Sequence, residues 1–349
     1  MALRENPAVA ALLRVLPPEF HVQVHQDTVQ ISLGPNSWTL QPIWVGEGLP
    51  ADIRRARNDV AHALTGVGGL PVIAARRMSS GARELLGESQ FSWVDASGRA
   101  RIVIPGELYL TRLDPVPVDA GRLFTWSGAA QAVAETLLTW RVQQSDRALE
   151  SIERVGAIAE AAEVSVAHAA RILRQFDEQG YTAKTGAERG STAMRELRDP
   201  GRMLSDWAGY YALANVVPAA EFHVPWRDHD QTFPVLASSL DGLNWAMTGA
   251  AAAERIAPHL TTVPVVDMLV SFNDLTEVRR RLTSKDDVRE VERGGRVRAF
   301  TADEYLFGLV NEEDGLRVAS PVRVYGDLLR ERGRSVDAAE YLREVAIGF

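Results

Sequence analysis

The chain has 349 residues, 46% of them hydrophobic and 24% charged, with a formal net charge of −8. That balance excludes wholesale disorder and a uniformly basic nucleic-acid coat, and leaves room for two or three domains with real cores. There are no cysteines, so disulfides, thiolate zinc sites and thiol nucleophiles are excluded. Of 38 basic residues only Lys184 and Lys285 are lysine. No apolar run reaches the ~18 residues of a membrane span, and Ala2–Arg14 lacks the pattern of a signal peptide. A soluble cytoplasmic protein without membrane contact is expected.

In chain order, Ala8–Val15 reads as a short helix. His21–Val24, Thr28–Leu33 and Ser37–Val45 alternate apolar and polar residues, as strands do. Ala51–Leu64 suits an amphipathic helix, and Leu70–Ala75 a buried strand. Ser79 or Ser80 offers an N-cap for a helix ending near Leu86. Phe91–Val94, Ala100–Ile104 and Glu107–Leu110 read as further strands. The mixture predicts an α/β domain over 1–118. The two prolines of Asp114–Gly121 then read as a stiff connector.

The next stretch, 119–215, reads differently. Ser127 can cap a helix through Arg141, with Ala132, Leu137, Leu138 and Trp140 as core candidates. Glu150–Ala162 is a second helix. After a tight turn, Ser165 caps a third helix that Gly180 ends in a left-handed C-cap, with Val166, Ala169, Leu173 and Phe176 as its inward stripe. Tyr181–Thr185 and Thr192–Leu197 form a hairpin around a loop with Gly186 and Gly190, and a helix runs from Pro200 to about Leu213. Helix, turn, helix and hairpin make the winged-helix order.

That order leaves Ser165, His168, Arg171, Arg174 and Gln175 facing outward on the third helix. Arg can fork onto guanine edges and Gln can pair with adenine. Lys184, Arg189, Ser191 and Arg195 fall on the hairpin, where phosphates or the minor groove would be met. Charge changes sign at the same place. Ala148–Val164 holds one Arg against four acids, whereas Ser165–Arg198 holds five Arg and one Lys against four acids.

The last stretch, 216–349, predicts a helix in part of Leu240–His259, a strand over Val263–Phe272, a charged helix over Asp274–Leu282 and a strand over Arg296–Phe300. Helices follow over Pro321–Leu329 and Ser335–Val345. His223–Asp230 gathers two His and two Asp and reads as a polar loop between domains. Arg279–Arg281 reads as a solvated helix face, and Gly66–Gly69 lacks the helix a dinucleotide loop requires.

Several motifs together carry a resemblance. The run Val155–Gly180 resembles a bacterial regulator helix-turn-helix. Met78–Leu86, Phe91–Gly98, Leu197–Trp207, Met247–Ala253, Ala319–Leu329 and Gly333–Ala339 follow in an order similar to that of actinobacterial winged-helix regulators related to AbiEi-type antitoxins of type IV toxin–antitoxin systems. Arg99 replaces an Asn of that pattern, and Gly326 reads as an added flexible residue before Asp327. The resemblance implies a sequence-specific duplex-DNA-binding transcriptional regulator, repressor or autoregulator, without a cofactor or metal. Its parts would be a degenerate restriction-endonuclease-like α/β domain (1–118), a winged helix (119–215) and an antitoxin-type α/β domain (216–349). A homodimer is expected on two half-sites, and a cognate toxin or other protein is a possible partner.

Enzyme readings remain as alternatives. A Mg-dependent nuclease needs an acid, then acid-x-Lys, yet Trp38–Val45 carries Gln41 and Pro42, and no Lys precedes Lys184. A nucleotidyltransferase outline begins at Thr248-Gly249-Ala250, but the following strand holds one acid, Asp267. A toxin-neutralising interaction module is the other alternative.

Overall fold

Asn6 accepts a hydrogen bond from the amide of Ala8 and Pro7 presets the first turn, so the chain enters a helix, α1, over Pro7–Val15. The computed structural model describes residues 6–56, 69–89, 91–112, 124–143, 154–186, 193–214, 216–226, 228–259, 263–313, 315–331 and 334–349. The chain divides into two compact units, Met1–Leu123 and Phe124–Gly348. The second therefore contains both the expected winged helix and the expected C-terminal domain. The connector Asp114–Gly121 and the Gly66–Gly68 part of the glycine run lie outside the described residues.

In the first unit α1 is followed by β1 (His21–His25), β2 (Thr28–Leu33), β3 (Asn36–Trp44), α2 (50–56), β4 (Leu70–Ala75), α3 (Ser80–Glu88), β5 (Ser92–Asp95), β6 (Ala100–Ile104) and β7 (Leu108–Arg112). One seven-stranded sheet takes them in sequence order. β1–β2–β3 and β5–β6–β7 are antiparallel meanders, and the β3–β4 and β4–β5 pairs are parallel. Parallel neighbours need crossovers, which α2 and α3 supply.

The apolar run of β4 is explained by burial on both faces. Val72 and Ala74 join Leu12 and Val15 of α1, while Ile73 and Ala75 join Ile53, Met78 and Leu86. Ser79, not Ser80, is the cap of α3. Asp95 is fully buried and organises the turn after β5, accepting from the amides of Met78 and Arg99 and from the Ser97 hydroxyl.

The second unit runs α4 (Gly128–Gln143), α5 (Val155–Ala161), α6 (Val166–Gln179), β8 (Thr182–Gly186), β9 (Ala193–Leu197), α7 (Pro200–Tyr211), β10 (Ala220–His223), α8 (His229–Ser239), β11 (Trp245–Thr248), α9 (Gly249–Ile256), β12 (Val266–Ser271), α10 (Leu275–Thr283), β13 (Arg289–Val291) and β14 (Val297–Ala302). A 3-10 turn (Glu304–Gly308), β15 (Asn311–Glu313), β16 (Leu316–Val318), α11 (Pro321–Glu331) and α12 (Arg334–Leu342) complete it. Its mixed sheet has the order β13-β10-β14-β12-β11-β16-β15, with β8–β9 a separate hairpin.

Leu240–His259 is helical in part, as expected: α9 takes Gly249–Ile256, and β11 precedes it because Trp-Ala-Met-Thr is buried on both faces of the sheet. His223–Asp230 is a loop only over its middle, and its two ends belong to regular elements. His223 ends β10, and Asp228 caps α8 through the amide of Gln231. Among the described residues no group of three or more His, Asp or Glu is suited to a metal ion. None of the described helices is long and apolar enough to cross a membrane.

α11 is the hub. Every residue from Pro321 to Leu328 is buried, and the helix packs on α4, α7, α9 and α12. Gly326 is therefore no flexible insertion. A Cβ there would lie 2.9 Å from Tyr211 and 3.1 Å from Trp207, whose rings stack at 5.3 Å. The missing side chain lets α7 approach.

α4 is buried nearly all round, as a central helix must be. It contains a charge, Glu135, that is fully buried. Arg323 of α11 forks onto it, with Nε donating to Oε1 at 2.8 Å and Nη2 donating to Oε2; the Tyr305 hydroxyl donates to Oε2 at 2.8 Å. Nearby, the Tyr211 hydroxyl donates to Asp327 at 2.7 Å, and Arg330 donates to both.

Burial pushes the Tyr211 phenol up to about 12, and Tyr305 well above its ordinary range, with the Glu135 carboxylate as the next cause. The folded protein thus holds both phenolic protons more tightly than the unfolded chain does. The stabilisation is complete below pH ~10 and is lost as pH rises toward about 12. An ultraviolet phenolate titration should show Tyr211 and Tyr305 still protonated above pH ~10, and their ionisation accompanied by loss of helical circular dichroism. Complete, reversible ionisation of all seven near pH 10 in folded protein would contradict this.

Candidate nucleic-acid interface

α5 and α6 are joined by a short turn. Ala162 closes α5, Glu163 takes a left-handed φ of 50°, and the amide of Val164 returns to the carbonyl of Ala159. Ser165 then caps α6, its hydroxyl accepting from the amide of His168. Gly180 ends α6 at φ 75°, where its amide bonds to the carbonyl of Asp177.

Ala169, Ile172, Leu173 and Phe176 are the buried stripe of α6. Val166, expected inside, is 58% exposed. It is the first residue after the cap, and the inward stripe begins one turn later. Phe176 sits in an aromatic box with Phe124, Trp126 and Tyr181, with ring centroids 4.9–6.5 Å apart. Offset and edge contacts of this kind add to the area term in fixing a helix.

The C-terminal end of α6 is tied to α7. The Tyr181 hydroxyl donates to Asp206 at 2.7 Å, Arg202 lies 4.5 Å over the Tyr181 ring, and its Nη2 donates to the carbonyl of Gln179. Asp177 ties α6 to the hairpin, accepting from Thr182 at 2.6 Å and from Arg195 at 3.2 Å. α6 is thus held at its middle by rings and at its end by ion pairs and hydrogen bonds.

The outward residues fall into three groups. Ser165, Arg171, Arg174 and Lys184 are exposed. His168 and Gln175 are half-buried, and Arg171 Nη2 lies 2.7 Å from His168 Nε2. Arg195 is turned inward, its side chain 13% exposed and paired with Asp177 at 3.1 Å, which makes it a brace of the hairpin. Arg189 and Ser191 lie outside the described residues.

No family model, curated protein or solved structure matches this chain. The outer side of α6 offers two unburied guanidiniums one turn apart, a capped N-terminus beside Ser165, and Lys184 on the neighbouring strand. Forked donors on a projecting helix match base edges or phosphates. The acids Glu160, Glu163 and Glu178 are also exposed and bound the patch on the α5 side and at the end of α6.

The residues that sequence reasoning missed are the positioning ones: Phe124, Trp126, Asp177, Arg202 and Asp206. Nothing in spacing distinguishes Asp177 from any solvent-facing acid. The clustering of Phe, Trp and Tyr around one helix was the available signal.

The Thr248 hydroxyl donates to Asp327 at 2.5 Å. On the adjacent strand Asp267 receives Arg298 on both oxygens, each at 2.6 Å, and Arg298 also donates to Glu331 at 2.9 Å. The Arg279–Arg281 face is partly engaged: Arg279 donates to the carbonyl of Ala219, and Arg280 and Arg281 both pair with Glu277.

Proposed function

We propose that this chain binds duplex DNA sequence-specifically through α6 and acts as a transcriptional regulator of the kind found among AbiEi-type antitoxins. The observation that carries the reading is the two-sided character of α6: Ala169, Ile172, Leu173 and Phe176 are buried while Arg171 and Arg174, on the opposite side, are exposed to solvent. A helix pinned along one side and cationic along the other is what major-groove reading requires. The β8–β9 hairpin, braced by Asp177, is the wing in this reading, with Lys184 toward phosphate.

The remaining assignments rest on the same resemblance. The first unit is read as a degenerate nuclease-like domain and the sheet of the second unit as an antitoxin-type domain. Regulation without catalysis is favoured by Gln41 and Pro42 on β3, and by the guanidinium of Arg298 lying on Asp267. A homodimer in the cytoplasm, on two half-sites, completes the proposal. A toxin-binding surface is the second reading, favoured by the exposed apolar side chain of Val166 at the start of α6.

The test is fluorescence anisotropy of labelled genomic duplexes with the full chain, at several salt concentrations. Salt-sensitive binding is expected. Arg171→Ala/Arg174→Ala should weaken it by about tenfold or more and flatten the log–log salt slope by about 0.9 for each phosphate contact removed. Binding that ignores salt, or a double variant with wild-type affinity, would remove α6 from the reading role.

A further inference from the structure

At the C-terminal end of α7 a cavity of about 430 Å³ opens between Tyr211, β12, β14 and α11. A second cavity, of about 400 Å³, adjoins it and shares the side chains of Val216, Phe300 and Arg330. The first has the volume of a small-molecule site, and its wall mixes aromatic and aliphatic side chains with charged ones. Its rings are Tyr211, Phe300 and Phe272, the last 76% exposed at the rim. Arg330 spans the ring walls, 5.2 Å over Tyr211 and 5.8 Å over Phe300.

The polar groups are few and specific. Arg323 is only 7% exposed yet lines the cavity. Its Nε and Nη2 are committed to Glu135 and Tyr305, and Nη1 has no acceptor among the described residues. Nη1 keeps access to water, so an acceptor entering the cavity can take the place of water on it. Arg330 adds a second cation on the same wall. Asp303 is the one acid lining the cavity among the described residues.

We propose that this cavity is a binding site for a small aromatic monocarboxylate. The carboxylate meets Arg323 Nη1 and Arg330, and the ring packs against Phe272 and Phe300. Guanidinium donors suit a planar carboxylate, and stacked guanidinium and ring faces suit a planar body. Asp303 disfavours a second negative charge, so the site selects monoanions over dianions. The site does not depend on how α6 is used, and its test contains no DNA.

Titration calorimetry of the full chain with indole-3-acetate should give a Kd on the order of 0.1–1 mM, the range open to a ligand of this size. The uncharged isostere indole-3-acetamide should bind about tenfold more weakly or not at all. Phe272→Ala, at an exposed position that does not threaten folding, should weaken the acid by about fivefold or more. Asp303→Asn should strengthen it and admit the dianion phthalate. Equal affinity for acid and amide, wild-type affinity in Phe272→Ala, or no heat with the acid at saturating concentration would overturn the proposal.

Discussion

Glu135→Ala is expected to destabilise the Phe124–Gly348 unit by about 3–5 kcal/mol, the cost of leaving a buried charge without its partner. The partner is Arg323, which forks onto both carboxylate oxygens from α11 while Tyr305 donates to one of them. Both charged side chains are almost wholly removed from water. Truncation strands the guanidinium and orphans the phenol at once. For a unit of this size each kcal/mol shifts the melting temperature by roughly 2–4 °C, so a drop of roughly 6–20 °C is expected by differential scanning calorimetry. Replacing both members, as Glu135→Leu/Arg323→Met, should recover much of the loss, because an apolar pair of similar volume escapes the desolvation penalty. A single variant within about 1 kcal/mol of wild type would mean that the pair is solvated in the native state.

The second large effect is expected at Gly326. Glycine in a helix interior costs about 1 kcal/mol relative to alanine, so propensity alone predicts that Gly326→Ala stabilises. Packing predicts the opposite. The added Cβ would sit 2.9 Å from Tyr211 Cδ1 and 3.1 Å from Trp207 Cη2. Neither ring is free to move: Trp207 is fully buried, and Tyr211 is held by Asp327 and Arg330. Overpacking of this kind costs about 1–3 kcal/mol, and the bulkier Gly326→Val should cost more. Denaturant melts read the sign directly. A stabilised alanine variant would show that α7 and α11 are looser than described. A Tyr211→Leu background should shrink the penalty, because residues in contact are not additive.

The legible parts of this fold were those fixed by local chemistry. Ser79 and Ser165 cap helices because a side-chain oxygen at that position meets a free amide two or three residues on. Gly180 takes the left-handed cap because no Cβ forbids it. The β4 run was legible as a buried strand because both its faces are covered.

The illegible parts were those fixed by distant partners. Gly326 looked like slack because its reason, the Trp207–Tyr211 stack, lies more than a hundred residues upstream. Val166 looked inward because periodicity fixes spacing and not where a stripe begins. The start of α8 was read as part of a loop because His229 and Asp230 continue a polar run.

The candidate interface divides along the same line. Ser165, Arg171, Arg174 and Lys184 were legible as solvent-facing because they lie across the helix or strand from buried residues. Arg195 was not, since whether an arginine faces solvent or an acid depends on the tertiary position of Asp177. Glu135, within a run of Ala, Val, Leu and Thr, gave no periodic sign of the ion pair it makes 188 positions away.

That separation in sequence bears on how such a protein can evolve. A helix-turn-helix that were a free-standing cassette could be exchanged by recombination at one junction. Here α4, which packs against α5 and α6, carries one half of an ionic lock and α11 supplies the other. A swap that moved either half alone would hand its recipient an unmatched charge in a dry interior, so the two stretches are expected to travel through descent as a pair.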